Sequence, residues 1–98
     1  MDKVIRQGDV VIKLNQKVPK GAQNRKDKTL AFGEATGHHH SLSKGVVLGD
    51  REALQWIVLD TEAELTHQEH DTLVIPPGTH EVNIQREYSP ERIRRVID

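Results

Sequence analysis

Glu52-Ala53-Leu54-Gln55-Trp56-Ile57-Val58-Leu59 carries the strongest β signal in this chain. Leu54, Trp56 and Val58 alternate with Gln55, Ile57 and Leu59, and a period of two puts the sets on opposite faces of a strand. The same alternation recurs on both sides. Upstream, Val10, Ile12 and Leu14 share a face in segment 9–15. Segment 29–36 reads as a strand that continues through a histidine run to Leu42, and segment 44–48 is short and apolar. Downstream lie segments 61–67, 72–75 and 79–88. Segment 92–97 reads as a last strand, although Ser89-Pro90-Glu91 also fits an N-cap with Pro at the first helical position. Val18-Pro19-Lys20-Gly21 and Gly49-Asp50 are turn signals. Short alternating segments split by turn residues predict an all-β fold, a small antiparallel β-barrel or sandwich, with a jelly roll among the options.

The 98 residues predict one domain spanning 1–98. At 35% hydrophobic and 30% charged residues the core is modest. No apolar run approaches the ~20 residues of a membrane span. Met1-Asp2-Lys3-Val4-Ile5-Arg6 lacks the apolar stretch of a signal peptide, so the expected location is cytoplasmic. There are no cysteines, which excludes disulfides and thiolate metal sites. The net charge of −1 hides an asymmetry, because residues 1–30 hold eight Lys or Arg against three acids. The basic share is densest in 17–28, which could touch phosphate but has no aromatic residue to stack on a base. A solvated loop is expected there, with nucleic acid and membrane not among the partners.

Six histidines accompany single Phe, Tyr and Trp residues. They fall in Gly37-His38-His39-His40-Ser41, Thr66-His67-Gln68-Glu69-His70 and Pro76-Pro77-Gly78-Thr79-His80. Strand parity gives their directions. His38 and His40 share a face with Leu30, Phe32 and Leu42. His67 shares one with Ala63 and Leu65, and His80 with Val82 and Ile84. His39 takes the opposite face, and His70 follows a bend. An inward imidazole is costly unless its ring nitrogens find partners, and four separately satisfied core histidines would need four coincidences. One shared metal ion satisfies all of them. His38 and His40, two apart on one strand face, can chelate together. His67, His70 or His80 would complete the set, and Glu69 could act as a general base beside the metal. Without sulfur the donors suit Zn, Fe(II), Mn, Ni or Cu(II) alike.

The order of these elements resembles the cupin superfamily of small β-barrels. Its first motif holds His-x-His and a following Glu, and its second Pro-x-Gly and then a His. The resemblance implies His38, His40 and His80 as ligands. The chain departs from it in two places. Ser41-Leu42-Ser43-Lys44-Gly45 contains no acid, and one residue separates Gly78 from His80 where the pattern has two.

The chain also resembles a family of small, uncharacterised phage and bacterial proteins. Gly8-Asp9-Val10, Gly33-Glu34-Ala35-Thr36-Gly37-His38-His39-His40, Leu65-Thr66-His67-Gln68-Glu69-His70 and Gln85-Arg86-Glu87-Tyr88 carry that match. It favours His38, His40, His67 and His70 and implies a virion as another possible location. The expected function is a small, His-rich metal-binding β-barrel, with metal-dependent catalysis on a small-molecule substrate left open. The alternative is a non-enzymatic structural or interaction module of the phage type, for which a homo-oligomer is a natural form.

Overall fold

The structure is a computed structural model that describes residues 3–32, 37–50 and 54–85. The expectations for 33–36 and 86–98, including Glu87, Tyr88 and the terminal strand or helical turn, lie outside the described residues. The described chain is all β, with strands β1 (Val4–Gln7), β2 (Val10–Lys13), β3 (Asn24–Arg25), β4 (Thr29–Phe32), β5 (His39–Leu42), β6 (Val46–Gly49), β7 (Gln55–Leu59), β8 (Ala63–Thr66), β9 (Leu73–Ile75) and β10 (Gly78–Ile84). A six-stranded sheet runs β1-β2-β10-β7-β6-β3 and a four-stranded sheet runs β4-β5-β8-β9. Every pairing is antiparallel. Among the described residues the sheets form a small sandwich and do not close into one barrel. No helix in them is long and apolar enough to cross a membrane.

Alternation builds the core. Gln55, Ile57 and Leu59 are the buried set of β7, and Trp56 and Val58 lie on its outer face. Val47, Ile57 and His80 follow one another across β6, β7 and β10 as a buried row. Val10, Ile12 and Val82 from the larger sheet meet Leu30, Leu42, Ala63, Leu65 and Ile75 from the smaller one. Fully burying a Val, Leu or Ile side chain contributes about 1.5–3 kcal/mol, so these inner faces hold the sheets together.

Two buried glutamines tie one sheet to the other. Gln55 Nε2 on β7 donates to the Leu30 carbonyl on β4 at 2.8 Å, and its Oε1 accepts from Arg25. Gln7 Nε2 on β1 donates to the Leu65 carbonyl on β8 at 2.8 Å. Within an apolar interior each bond satisfies groups whose desolvation would otherwise cost about 1–3 kcal/mol.

The structure corrects four sequence expectations. The strand expected to run from 29 through the histidine run to Leu42 is instead two strands, β4 and β5, paired antiparallel. A strand at Val4–Gln7 precedes the segment expected at 9–15, and the two form a hairpin around Gly8-Asp9. Gly8 has φ 57° and Asp9 stays out of the positive-φ region, as in a two-residue loop with Gly first. Within the basic stretch 17–28, Asn24 and Arg25 pair with Leu48 and Val47 and are not loop. Arg25 turns into the protein, meeting Gln55, Asp27 and the Thr29 carbonyl. Lastly, a bulge between Thr29 and Ala31 buries both Leu30 and Ala31 and leaves Phe32 54% exposed, so Phe32 does not share the inward face.

Candidate metal centre

Strand register brings the histidines together. Ser41 pairs with Thr66 and Leu42 with Leu65. Following that register back along β5 and onward from β8 sets His40 opposite His67, His39 opposite Gln68 and His38 opposite Glu69. The contacts agree. The His40 and His67 rings lie 4.3 Å apart between centroids, the His39 amide donates to Gln68 Oε1 at 2.8 Å, and His38 Nε2 is 3.7 Å from Glu69 Oε2. The turn after His67 carries His70 over the same spot, with its ring 4.5 Å from that of His67 and 5.8 Å from that of His40.

One ligand atom from each of His40, His67 and His70 falls within 4.8 Å of the other two. Tetrahedral ligands bonded at about 2.0–2.1 Å stand roughly 3.4 Å apart, so an inward movement of about 1 Å closes the group on an ion. His40 is buried, His67 half-buried and His70 exposed, so the group opens from the core toward solvent. His38 adjoins it, its ring edge-on to His67 at 5.5 Å, but is not one of the three. Glu69 sits beside His38 at the exposed rim. His39 faces away, with Nδ1 against Ser41 Oγ.

His80 is placed elsewhere. Its Nδ1 accepts the Asn15 amide at 3.1 Å, and its Nε2 donates to the Pro76 carbonyl at 2.8 Å. With both ring nitrogens used and no exposure, it is a satisfied core histidine and does not join the cluster.

Two residues that shape the site had no assigned role in the sequence. Gly8, in the β1–β2 turn, brings bare backbone against the imidazoles. A Cβ on it would lie 2.6 Å from His70 Nε2 and 3.3 Å from His40 Cε1. Gln7, 4% exposed, holds its Oε1 2.7 Å from His40 Nδ1 and donates from Nε2 to the Leu65 and Asp71 carbonyls. The available signal was parity, since Gln7 falls on the face of Ile5 just before the turn.

The electrostatics favour a neutral His67 ring. Burial, followed by the charges that His70 and His38 would carry, lowers the His67 pKa below 6.5, while Glu69 opposes the shift. A metal needs the neutral imidazole. His67 Nδ1, however, already accepts the Glu69 amide at 3.0 Å, which puts the proton of the neutral ring on Nε2. Binding an ion through either nitrogen therefore means giving up the Glu69 bond and rearranging the 67–70 turn.

Fold and cluster together define an all-β sandwich with a three-imidazole group at the open end of its core. The chain belongs to the family described as Domain of unknown function (DUF8820), whose model matches residues 6–85, a span that takes in Gln7, Gly8 and all six histidines. No curated protein and no solved structure matches it.

Proposed function

We propose that this chain is a metal-binding protein in which His40, His67 and His70 hold one divalent ion. The carrying observation is the mutual approach of three imidazole nitrogens, from β5 and from the turn after β8, to within 4.8 Å. The all-nitrogen donor set suits Zn, Fe, Mn or Ni. Of the two resemblances, the phage and bacterial motifs contain this trio, whereas the cupin ligand set needs His80, whose nitrogens are committed to Asn15 and Pro76. Three protein ligands leave a coordination position for water or a small substrate. An ion there supplies Lewis acidity. Glu69 is the proton acceptor at the rim, and His38, 3.7 Å away, orients its carboxylate. Elemental analysis of untagged protein purified without nickel tests the metal. About one ion per chain is expected, and none in His40→Ala. A metal-free wild type that also takes up no zinc, cobalt, manganese or iron on titration defeats the proposal.

A second function, a non-enzymatic interaction module of the phage type, draws on the sheet edges. Val4 on β1, Phe32 on β4 and Val74 on β9 are each at least half exposed, and among the described residues each lies on an edge strand. Such edges can pair with another chain. Sedimentation of the purified protein tests it, since a monomer at every concentration would count against self-association through these edges.

A further inference from the structure

Gln7 is a buried side chain beside the cluster whose amide makes three hydrogen bonds. An amide oxygen and nitrogen are easily confused, but here the partners decide. Two backbone carbonyls, Leu65 at 2.8 Å and Asp71 at 2.9 Å, face one end of the Gln7 amide and can only accept, so that end is the NH2. The other end is the oxygen, and it lies 2.7 Å from His40 Nδ1. An oxygen cannot donate, so Nδ1 carries a ring proton, and in the neutral imidazole that a metal requires Nε2 is then the nitrogen left to ligate.

We infer that Gln7 is a positioning residue for the metal centre: it fixes His40 in the tautomer that offers Nε2 to an ion and ties β1 to the turn bearing His67 and His70. This rests on the metal-binding proposal above. The geometry gives Gln7 three tasks through one amide. Its oxygen sets the His40 proton, as partners of metal-bound histidines commonly do. One N–H holds β8, from which His67 projects, through Leu65. The other holds Asp71, the residue after His70. His67, by contrast, is held by the Glu69 amide in the opposite tautomer. Of these two imidazoles, His40 is thus the one held in the tautomer that ligates through Nε2 without a proton shift.

The test uses the full, untagged chain stripped of metal and labelled with 15N. Long-range proton–nitrogen correlation spectra show which nitrogen of His40 carries hydrogen, and chelator competition gives zinc affinity. Gln7→Met keeps the length and removes every hydrogen bond, whereas Gln7→Glu keeps an acceptor for Nδ1. In the wild type, His40 should be protonated at Nδ1 and bare at Nε2. Gln7→Met should mix the two tautomers and weaken zinc binding by about 10–100-fold. Gln7→Glu should keep the tautomer and recover part of that loss. A purely structural role would lower stability without moving the tautomer. A wild-type His40 protonated at Nε2 overturns the inference, as does a folded Gln7→Met variant that binds zinc within about twofold of wild type. If Gln7→Met does not fold, the wild-type and Gln7→Glu spectra decide. If the wild type binds no zinc, the metal-binding proposal fails, while the His40 tautomer still upholds or overturns the role of Gln7.

Discussion

His40 and His80 show how one residue type serves two ends. Each is buried, each faces inward from a strand, and each has a polar partner on Nδ1. The difference lies in their surroundings, since His40 lies against the His67 and His70 rings and His80 is outside that group. The Nε2 of His80 donates to the Pro76 carbonyl, so removing the ring strands that carbonyl and the Asn15 amide and leaves a cavity. His80→Ala should therefore cost about 3 kcal/mol or more in urea unfolding, with zinc stoichiometry unchanged in the folded fraction. Loss of zinc by a folded His80→Ala protein would contradict the division of roles.

His67 adds a pH dependence whose sign is fixed. Its folded pKa lies below 6.5, chiefly through burial. The folded state therefore binds fewer protons than the unfolded state, and the stability at stake is full above the unfolded value and is lost as pH falls through the folded one. Melting of metal-free protein, followed from about pH 8 to about pH 5, should show stability declining with acid. The decline should be shallower in His67→Gln. An equal slope in both proteins would place the titrating group elsewhere.

At the level of elements, the cluster is a product of register. The β5–β8 pairing, carried three residues past the end of β8, sets each histidine of the run opposite a residue of the His67–His70 turn. The β1–β2 hairpin then closes over them with Gly8, whose missing Cβ and positive φ both matter. Gly8→Ala should reduce zinc affinity while leaving all three ligands in place, because a methyl group there meets His70 Nε2. It should also destabilise the hairpin by about 1 kcal/mol or more, since Ala tolerates φ 57° poorly. Zinc titration with wild-type affinity would show that His70 can move aside.

Parity alone was enough to see His40, His67 and His80 facing inward, and period two was enough for the all-β class. What parity could not give was which inward residues share a place, since that depends on long-range register. It also failed at Phe32, because the bulge after Thr29 switches faces and leaves no signal in four residues of alternation. Gln7 and Gln55 went unassigned for a related reason. A polar residue at a core-facing position reads as an interruption until its cross-sheet acceptors, Leu65 and Leu30, are known.

In the whole molecule, parts of both sheets surround the cluster. His40 belongs to the smaller sheet, Gln7 and Gly8 to a hairpin of the larger one, and His67 and His70 to a turn of the smaller. An ion held there would join a strand and a turn that the Gln7 amide already fastens to the opposite sheet. The hydrophobic core of so short a chain leaves little margin, so such a link should be visible globally. Zinc at 100 times its dissociation constant should add about 2.7 kcal/mol by mass action. For a domain of this size each kcal/mol moves Tm by roughly 4–8 °C, giving a rise of about 10–20 °C. Histidines in the unfolded chain also bind zinc and reduce the effect, so the informative quantity is the difference from His40→Ala. That variant keeps five histidines for the unfolded state but loses the folded site. If zinc raises Tm equally in both proteins, the ion is held outside the trio. If zinc raises Tm in the wild type alone, the trio is a folded-state site, and azide tested on the cobalt form then distinguishes its coordination. A spectral change marks an open position beside Glu69, whereas a spectrum indifferent to small anions marks a closed, structural ion, with His38 as the adjoining imidazole to supply the fourth ligand.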